Sequence, residues 1–431
     1  MDIICDMMRF IDGAPTAFHA VQAVAEMLAV AGCQELKERE PWTLAPGGRY
    51  FLTRNRSSLI AFRLPEGDLN RFQIVASHAD SPAFKLKPQA GKASQGCALL
   101  NVEKYGGMLM STWLDRPLSL AGRLVVRDGD RLTTRLVNVD SDLAVIPNVP
   151  IHFNRNVNDG VAWNAQVDML PVIGAEGADY IEIVANAAGV GRDSIAGCDL
   201  FLYNRDKAKR VGAAGEYICA PRLDDLECAY TSLRAFLRAA PGEHSNVYCL
   251  FDNEEVGSGS KQGADSTLLD EALRRIALAL KLPSQALEAA VAGSFMVSAD
   301  NAHAVHPNHS DKYDPENRVY MNRGVVIKSN ANQKYTTDAL SAAVFAAVCD
   351  RAGVPTQQFA NRSDIPGGST LGNISNAHVS MNTVDIGLAQ LAMHSACETA
   401  GALDVEYMVR ALQAFYEAEI IVETDGLVAL R

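Results

Sequence analysis

The sequence predicts an α/β fold interrupted by an inserted β-rich region, on three observations. After residue 215, short apolar strands alternate with longer helical segments. The N-terminal stretch has the same strand-and-helix texture, while between residues 90 and 212 helical periodicity almost vanishes.

In chain order, Pro15-Thr16 gives a helix-start signal, and residues 17–28 repeat apolar side chains at helical spacing before Gly32 stops them. Strands are expected at 58–64 and 72–77, the second running straight into His78. Within the β-rich region, runs at 118–127 and 131–137 flank an Asp128-Gly129-Asp130 turn. Short apolar strands at 246–251, 295–298 and 325–328 then separate helical segments. If the N-terminal piece joins this later sheet, residues 1–89 plus 213–431 make one discontinuous domain, and 90–212 is an insertion into it.

Composition narrows the function classes. Of 431 residues 48% are hydrophobic and 21% charged, with no apolar run of the roughly 20 residues that a membrane span needs. The formal net charge of −12 argues against nucleic acid, whose binding rests on neutralising phosphates with Lys and Arg. The acidic start Met1-Asp2-Ile3-Ile4-Cys5-Asp6 lacks the basic segment of a secretory signal. Nine scattered cysteines without a CxxC pair read as reduced core thiols, so the expected location is cytoplasmic.

Chemistry-bearing residues gather where strands should end, the place where α/β sheets collect ligands. Five stretches carry them: Ser77-His78-Ala79-Asp80-Ser81-Pro82, Arg222-Leu223-Asp224-Asp225, Asp252-Asn253-Glu254-Glu255, Asp300-Asn301-Ala302-His303, and Met393-His394-Ser395. Singly, each has an ordinary explanation: a polar surface pair, a helix cap, a solvated loop or a structural histidine. In the first, residues two apart point the same way in extended chain, so Asp80 can reach the ring of His78. Adjacent glutamates can divide labour, one holding metal while the other takes a proton from water.

Taken together, the histidines and carboxylates match the needs of two divalent zinc ions sharing a bridging carboxylate. Manganese and cobalt accept the same ligands. Rival devices are thin: Gly367-Gly368-Ser369-Thr370-Leu371-Gly372 lacks the lysine of a phosphate-binding loop, and reads instead as a tight wall of an active site.

These stretches, in this order and with Lys85-Leu86-Lys87-Pro88 after the first, resemble the aspartyl aminopeptidase and vacuolar aminopeptidase I family over nearly the whole chain. The resemblance implies a mixed-sheet α/β/α zinc-peptidase domain with an inserted β-rich oligomerisation domain. It implies that Asp224 bridges two zinc ions, with His78 and Asp300 completing one site and Glu255 and His394 the other. Glu254 would be the general base and Asp80 the carboxylate orienting His78. His303, Lys328 and Tyr335 would surround a peptide substrate, Lys328 being the candidate for selecting acidic first residues. His152 would reach in from a neighbouring subunit, within homodimers built into a dodecamer. Ala79 and the 367–373 wall depart from the common family pattern, which leaves the side-chain preference open. Two rivals to aminopeptidase activity are a related two-zinc amidohydrolase acting on non-peptide amides, and a self-assembling structural or cargo protein whose metals only hold the fold.

Overall fold

The structure, a computed structural model, describes residues 2–431. Its largest sheet has nine strands, in the spatial order Gln34–Glu35, Arg49–Arg54, Ser58–Arg63, Ser245–Phe251, Phe72–His78, Phe295–Ala299, Asn382–Gly387, Val325–Ser329 and Thr356–Ala360. The four strands from Ser245–Phe251 to Asn382–Gly387 run parallel, with Phe251 beside His78 and Ser298 beside Asp385. Their carboxyl ends therefore open on one edge.

Three of these strands are buried along their whole length, as expected of a parallel sheet covered on both faces. Alternation sorts their side chains between two cores. Val75, Tyr248 and Val297 meet the helices Ile3–Gly13, Ala17–Val30, Leu223–Arg238, Ala339–Arg351 and Ala402–Glu417. Ile74, Val247 and Met296 pack instead with Leu268–Ala279, Ser284–Ala292 and Leu371–Asn376. The mixed α/β class read from the sequence is the class observed. The helix Ile3–Gly13, capped by the Asp2 carboxylate accepting the Ile4 N–H, is not among the elements expected from the sequence.

A six-stranded antiparallel sheet has its own core around Phe84, Leu100, Trp113, Leu120 and Leu202. Its strands are, in order, Arg131–Asn138, Leu118–Asp128, Ile195–Asn204, Ala83–Ser94, Cys97–Tyr105 and Val172–Ala175. Asp128 pairs with Arg131, so Gly129, at φ +56°, and Asp130 form the two-residue turn. Strand membership shifts both edges of the region read from the sequence. Ala83–Ser94 already belongs to this sheet, upstream of residue 90, because its half-buried alternation pairs with Cys97–Tyr105. Lys209–Val211, placed in the insertion, pairs with Tyr217–Ala220 in a separate five-stranded sheet that continues through Glu398–Gly401, Ala389–Leu391 and Ala302–His303. One α-helix, Tyr180–Ala188, lies within the region, with three short 3-10 turns. No helix among the described residues is long and apolar enough to cross a membrane.

Candidate metal centre

His78 closes its strand fully buried, and its backbone N–H donates to Asp225 Oδ2 at 3.0 Å. The ring Nδ1 lies 3.0 Å from the carbonyl oxygen of Asp80 and 3.5 Å from its carboxylate. That turns Nε2 toward Asp224 Oδ1 at 3.5 Å and Asp300 Oδ1 at 3.8 Å. On the other flank, His394 Nε2 sits 3.3 Å from Asp224 Oδ2 and 3.4 Å from Glu255 Oε2. Asp224 thus offers one oxygen to each histidine, the geometry of a shared carboxylate. The ligand atoms of His78, Asp224, Asp225 and Asp300, and those of Asp224, Glu255 and His394, lie within 4.8 Å of one another, and those of His78, Glu254 and Glu255 form a third such group.

The two aspartates do not act as a helix cap. Both have non-helical backbone angles at the start of Leu223–Arg238, and both are buried. Asp225 Oδ2 accepts the His78 backbone N–H, while the two Asp224 oxygens face the two histidine rings.

Asp80 does more than face a ring. Its carboxylate accepts the backbone N–H groups of Glu254 and Glu255, both at 3.1 Å, and the Tyr105 hydroxyl at 2.8 Å. It therefore fixes the turn that presents both glutamates. The second sheet walls the same turn: Gly106, at φ +77°, comes so close that a Cβ there would stand 3.1 Å from Glu255 Cβ.

Lys328 is buried and donates to the carbonyl oxygens of Asp300 at 2.8 Å and Asn301 at 3.1 Å, with the Asp300 carboxylate at 3.6 Å. Tyr335 lies under its ammonium, 5.2 Å away, and both Tyr335 and His303 pack against Phe359. His303, Lys328 and Tyr335 thus form one flank of the cluster. His152 is not brought near it within the chain; it lies on an exposed turn of the β-rich unit.

Glu398 was missed, although it follows His394 closely in sequence. One carboxylate oxygen accepts the Asp224 N–H at 3.0 Å and the other the His394 N–H at 2.7 Å, which clasps two members of the cluster from behind. His394 is held at φ +66°. Within the glycine-rich stretch, the Thr370 hydroxyl donates to the buried Asp385 at 2.6 Å, and a Cβ at Gly372 would stand 2.7 Å from Asp385 Oδ1.

Electrostatically the pocket holds more negative charge than its own cations balance. Burial, with nearby Asp300, Asp80 and Asp224, pushes Glu254 up to about 8, and burial beside Asp224 raises Glu255 well above its usual range. Burial pulls His78 down, but Asp225, Asp224, Asp300 and Asp80 outweigh it and hold the ring well above its ordinary value. Burial also opposes charge on His394, yet the Asp224 contact lifts it to about 9. Asp224 Oδ1, Asp225 Oδ1 and Glu255 Oε1 are buried without a hydrogen-bond partner. Asp224 Oδ1 lies 3.5 Å from His78 Nε2, and buried carboxylate oxygens without partners beside imidazole nitrogens are a donor set that divalent cations satisfy, so the residues fit metal.

Fold and site define a class: an α/β protein with a candidate metal cluster at the carboxyl edge of a mixed sheet. Residues 10–416 match the Aminopeptidase I zinc metalloprotease (M18) family model. The chain belongs to that family. It is 44% identical over 421 residues to a probable M18 family aminopeptidase 2 of Clostridium acetobutylicum, covering 95% of this chain and 97% of the relative. Among solved structures, one of a complex of Ape4 and Nbr1 superposes with a TM-score of 0.94 at 36% identity, covering 96% of this chain and 85% of that one. The S. cerevisiae mApe1 dodecamer superposes with a TM-score of 0.86 at 27% identity, with 96% of each chain covered.

Proposed function

We propose that this chain removes single residues from the N-terminus of peptides with a pair of divalent cations, zinc by family. Asp224 would be shared between them, His78 and Asp300 completing one site and Glu255 and His394 the other. The carrying observation is the split reach of Asp224, one oxygen toward each histidine, with a second glutamate beside the ligand Glu255. When bound, the cations would polarise the first carbonyl and make a water acidic enough to attack it. Glu254 would take the proton from that water and return it to the leaving amine. Asp80 holds Glu254 in register through its backbone N–H.

Glu254→Gln keeps the size and removes the base. Turnover on an unblocked peptide should fall by about 100- to 10,000-fold with cation content unchanged. Unaltered turnover would remove Glu254 from this role. An N-acetylated peptide should resist cleavage, which separates this reading from an amidohydrolase acting on blocked substrates.

The finer reading is preference for an acidic first residue, resting on Lys328. Its ammonium is already shared among the Asp300 and Asn301 carbonyls, so an entering carboxylate competes for what remains. Discrimination between N-terminal Asp and Leu should therefore be modest, about tenfold or less, equivalent to about 1.4 kcal/mol. A panel of Asp, Glu, Leu and Lys substrates measures it.

Self-association into dimers and a dodecamer is part of the proposal, with the β-rich unit as the assembly element. Exposed Ile151 and Phe153, the latter 85% accessible, flank His152 on its turn, an apolar tip suited to burial against a second copy. There His152 would stabilise the oxyanion of a neighbouring subunit's reaction. A cytoplasmic location agrees with nine free cysteines.

A further inference from the structure

Two strands that deliver metal-site residues lie side by side. Tyr217–Ala220 leads toward Asp224, and Glu398–Gly401 leads away from His394; they pair antiparallel, with Cys219 opposite Thr399. At the edge of this pairing the Sγ atoms of Cys219 and Cys397 lie 3.1 Å apart as free thiols. No other two sulfurs of cysteine are in contact among the described residues. Both thiols are half-buried, within reach of a small reagent, whereas Cys33, Cys228, Cys249 and Cys349 are buried.

We propose that Cys219 and Cys397 are a redox site, forming a reversible disulfide by exchange with a low-molecular-weight disulfide such as glutathione disulfide, and that this link loosens the metal centre. Its effect on turnover rests on the aminopeptidase reading; the link itself does not.

The exchange balances in two displacements. The Cys219 thiolate attacks one sulfur of the reagent, forming a mixed disulfide and releasing one glutathione thiolate, which takes up a proton. Cys397 then gives its proton to solvent and attacks the Cys219 sulfur, releasing the second glutathione. The protein loses two hydrogens, and the reagent is reduced to two thiols.

Surroundings favour Cys219 as the attacker. Lys209 pairs with it across the neighbouring strand, Thr399 faces it on the other side, and Cys397 points its thiol at it. The Cys397 contact, with help from Thr399 and Lys209, draws the Cys219 thiol down to about 6 against the effect of burial.

The consequence for the site runs through the next residue. Cys397 is bonded to Glu398, whose carboxylate holds the Asp224 and His394 backbones. Closing the link would tie the backbone at Cys397, next to that clasp, to the neighbouring strand at Cys219. Partners that orient metal ligands govern affinity by about 10- to 100-fold when disturbed.

The test uses metal-loaded, reduced protein incubated with glutathione disulfide, quenched with an alkylating agent and mapped by peptide mass spectrometry. The expected product is a Cys219–Cys397 linked peptide pair lighter by two hydrogens, undone by dithiothreitol. With it, cation retention against a chelator and turnover should both fall about tenfold. Cys219→Ser and Cys397→Ser should each abolish the linked product and the oxidative loss while keeping the reduced activity. Alkylation of both cysteines after treatment, glutathione adducts as the sole product, or a linked protein with unchanged retention would each overturn the proposal. If the reduced protein cleaves no peptide, the aminopeptidase reading fails, and mapping with cation retention still decides the thiol pair.

Discussion

The two large sheets treat charge in opposite ways. In the nine-stranded sheet, charged groups are driven inward at one edge: His78, Asp80, Asp224, Asp225, Asp300, Lys328 and Asp385 are all buried. In the six-stranded sheet they lie at the surface or in partly open pairs, such as Asp199 with Lys85 and Arg123, or Arg205 with Asp140 and Asp142. An antiparallel sheet with one wet face can leave its charges in water, so it needs no compensation. A parallel sheet covered on both faces has only its strand ends for polar groups. Charges kept there without enough partners persist because something else completes them.

Chelation tests this contrast most severely. Stripping cations should abolish hydrolysis and leave the carboxylates of one unit uncompensated, with zinc restoring both. Hydrogen exchange should then speed up around 78–80, 224–225, 254–255 and 394–398, and stay unchanged in Leu118–Asp128 and Arg131–Asn138. Equal loosening of both sheets would break the comparison.

Matched substitutions sharpen it. Asp80→Asn weakens the acceptor of two glutamate N–H groups and should lower turnover by about 10- to 100-fold. Asp199→Asn, in the other sheet, removes a half-exposed ion-pair partner and should leave turnover alone, with a stability change of about 1 kcal/mol or less, read by denaturant titration.

Next in size is a pH effect. Burial raises Glu227 to about 8 from an ordinary 4.5, with Asn301 donating to one oxygen and the other unpartnered. A carboxyl whose folded value is raised binds its proton more tightly in the native state, so stability declines as pH rises from about 4.5 to about 8. Glu227→Gln carries no such proton. In metal-stripped protein its melting temperature relative to wild type should climb through that window; a flat difference would place Glu227 in a wetter setting. The smallest effect belongs to Arg205→Ala, whose solvent-screened pairs should be worth within about 1 kcal/mol.

Much of the architecture was legible from periodicity. The strands that became Ser58–Arg63, Phe72–His78, Ser245–Phe251 and Phe295–Ala299 all announced themselves as apolar runs, and each of the last three ended at polar chemistry. Local pattern failed where partners decide the element. Ala83–Ser94 carries lysines and a proline, and its pairing with Cys97–Tyr105 and Ile195–Asn204 makes it a strand. The expectation of core thiols held for four cysteines, while Cys5, Cys97, Cys198, Cys219 and Cys397 are half-exposed.

Residue type and strand-end position were enough to nominate His78, the 224–225 and 254–255 acid pairs, Asp300 and His394, since those features are written locally. Which groups face one another was decided only by three-dimensional packing. Asp224 faces both histidines while Asp225 serves a backbone N–H, and Asp80 meets Glu254 across 174 residues of chain. Glu398 entered through its place behind the cluster, and Lys328 was found already engaged. A sequence encodes which groups each segment must bury. Sheet register and crossovers choose the groups they are buried against, and that choice sets the charge, the proton positions and the fit for metal.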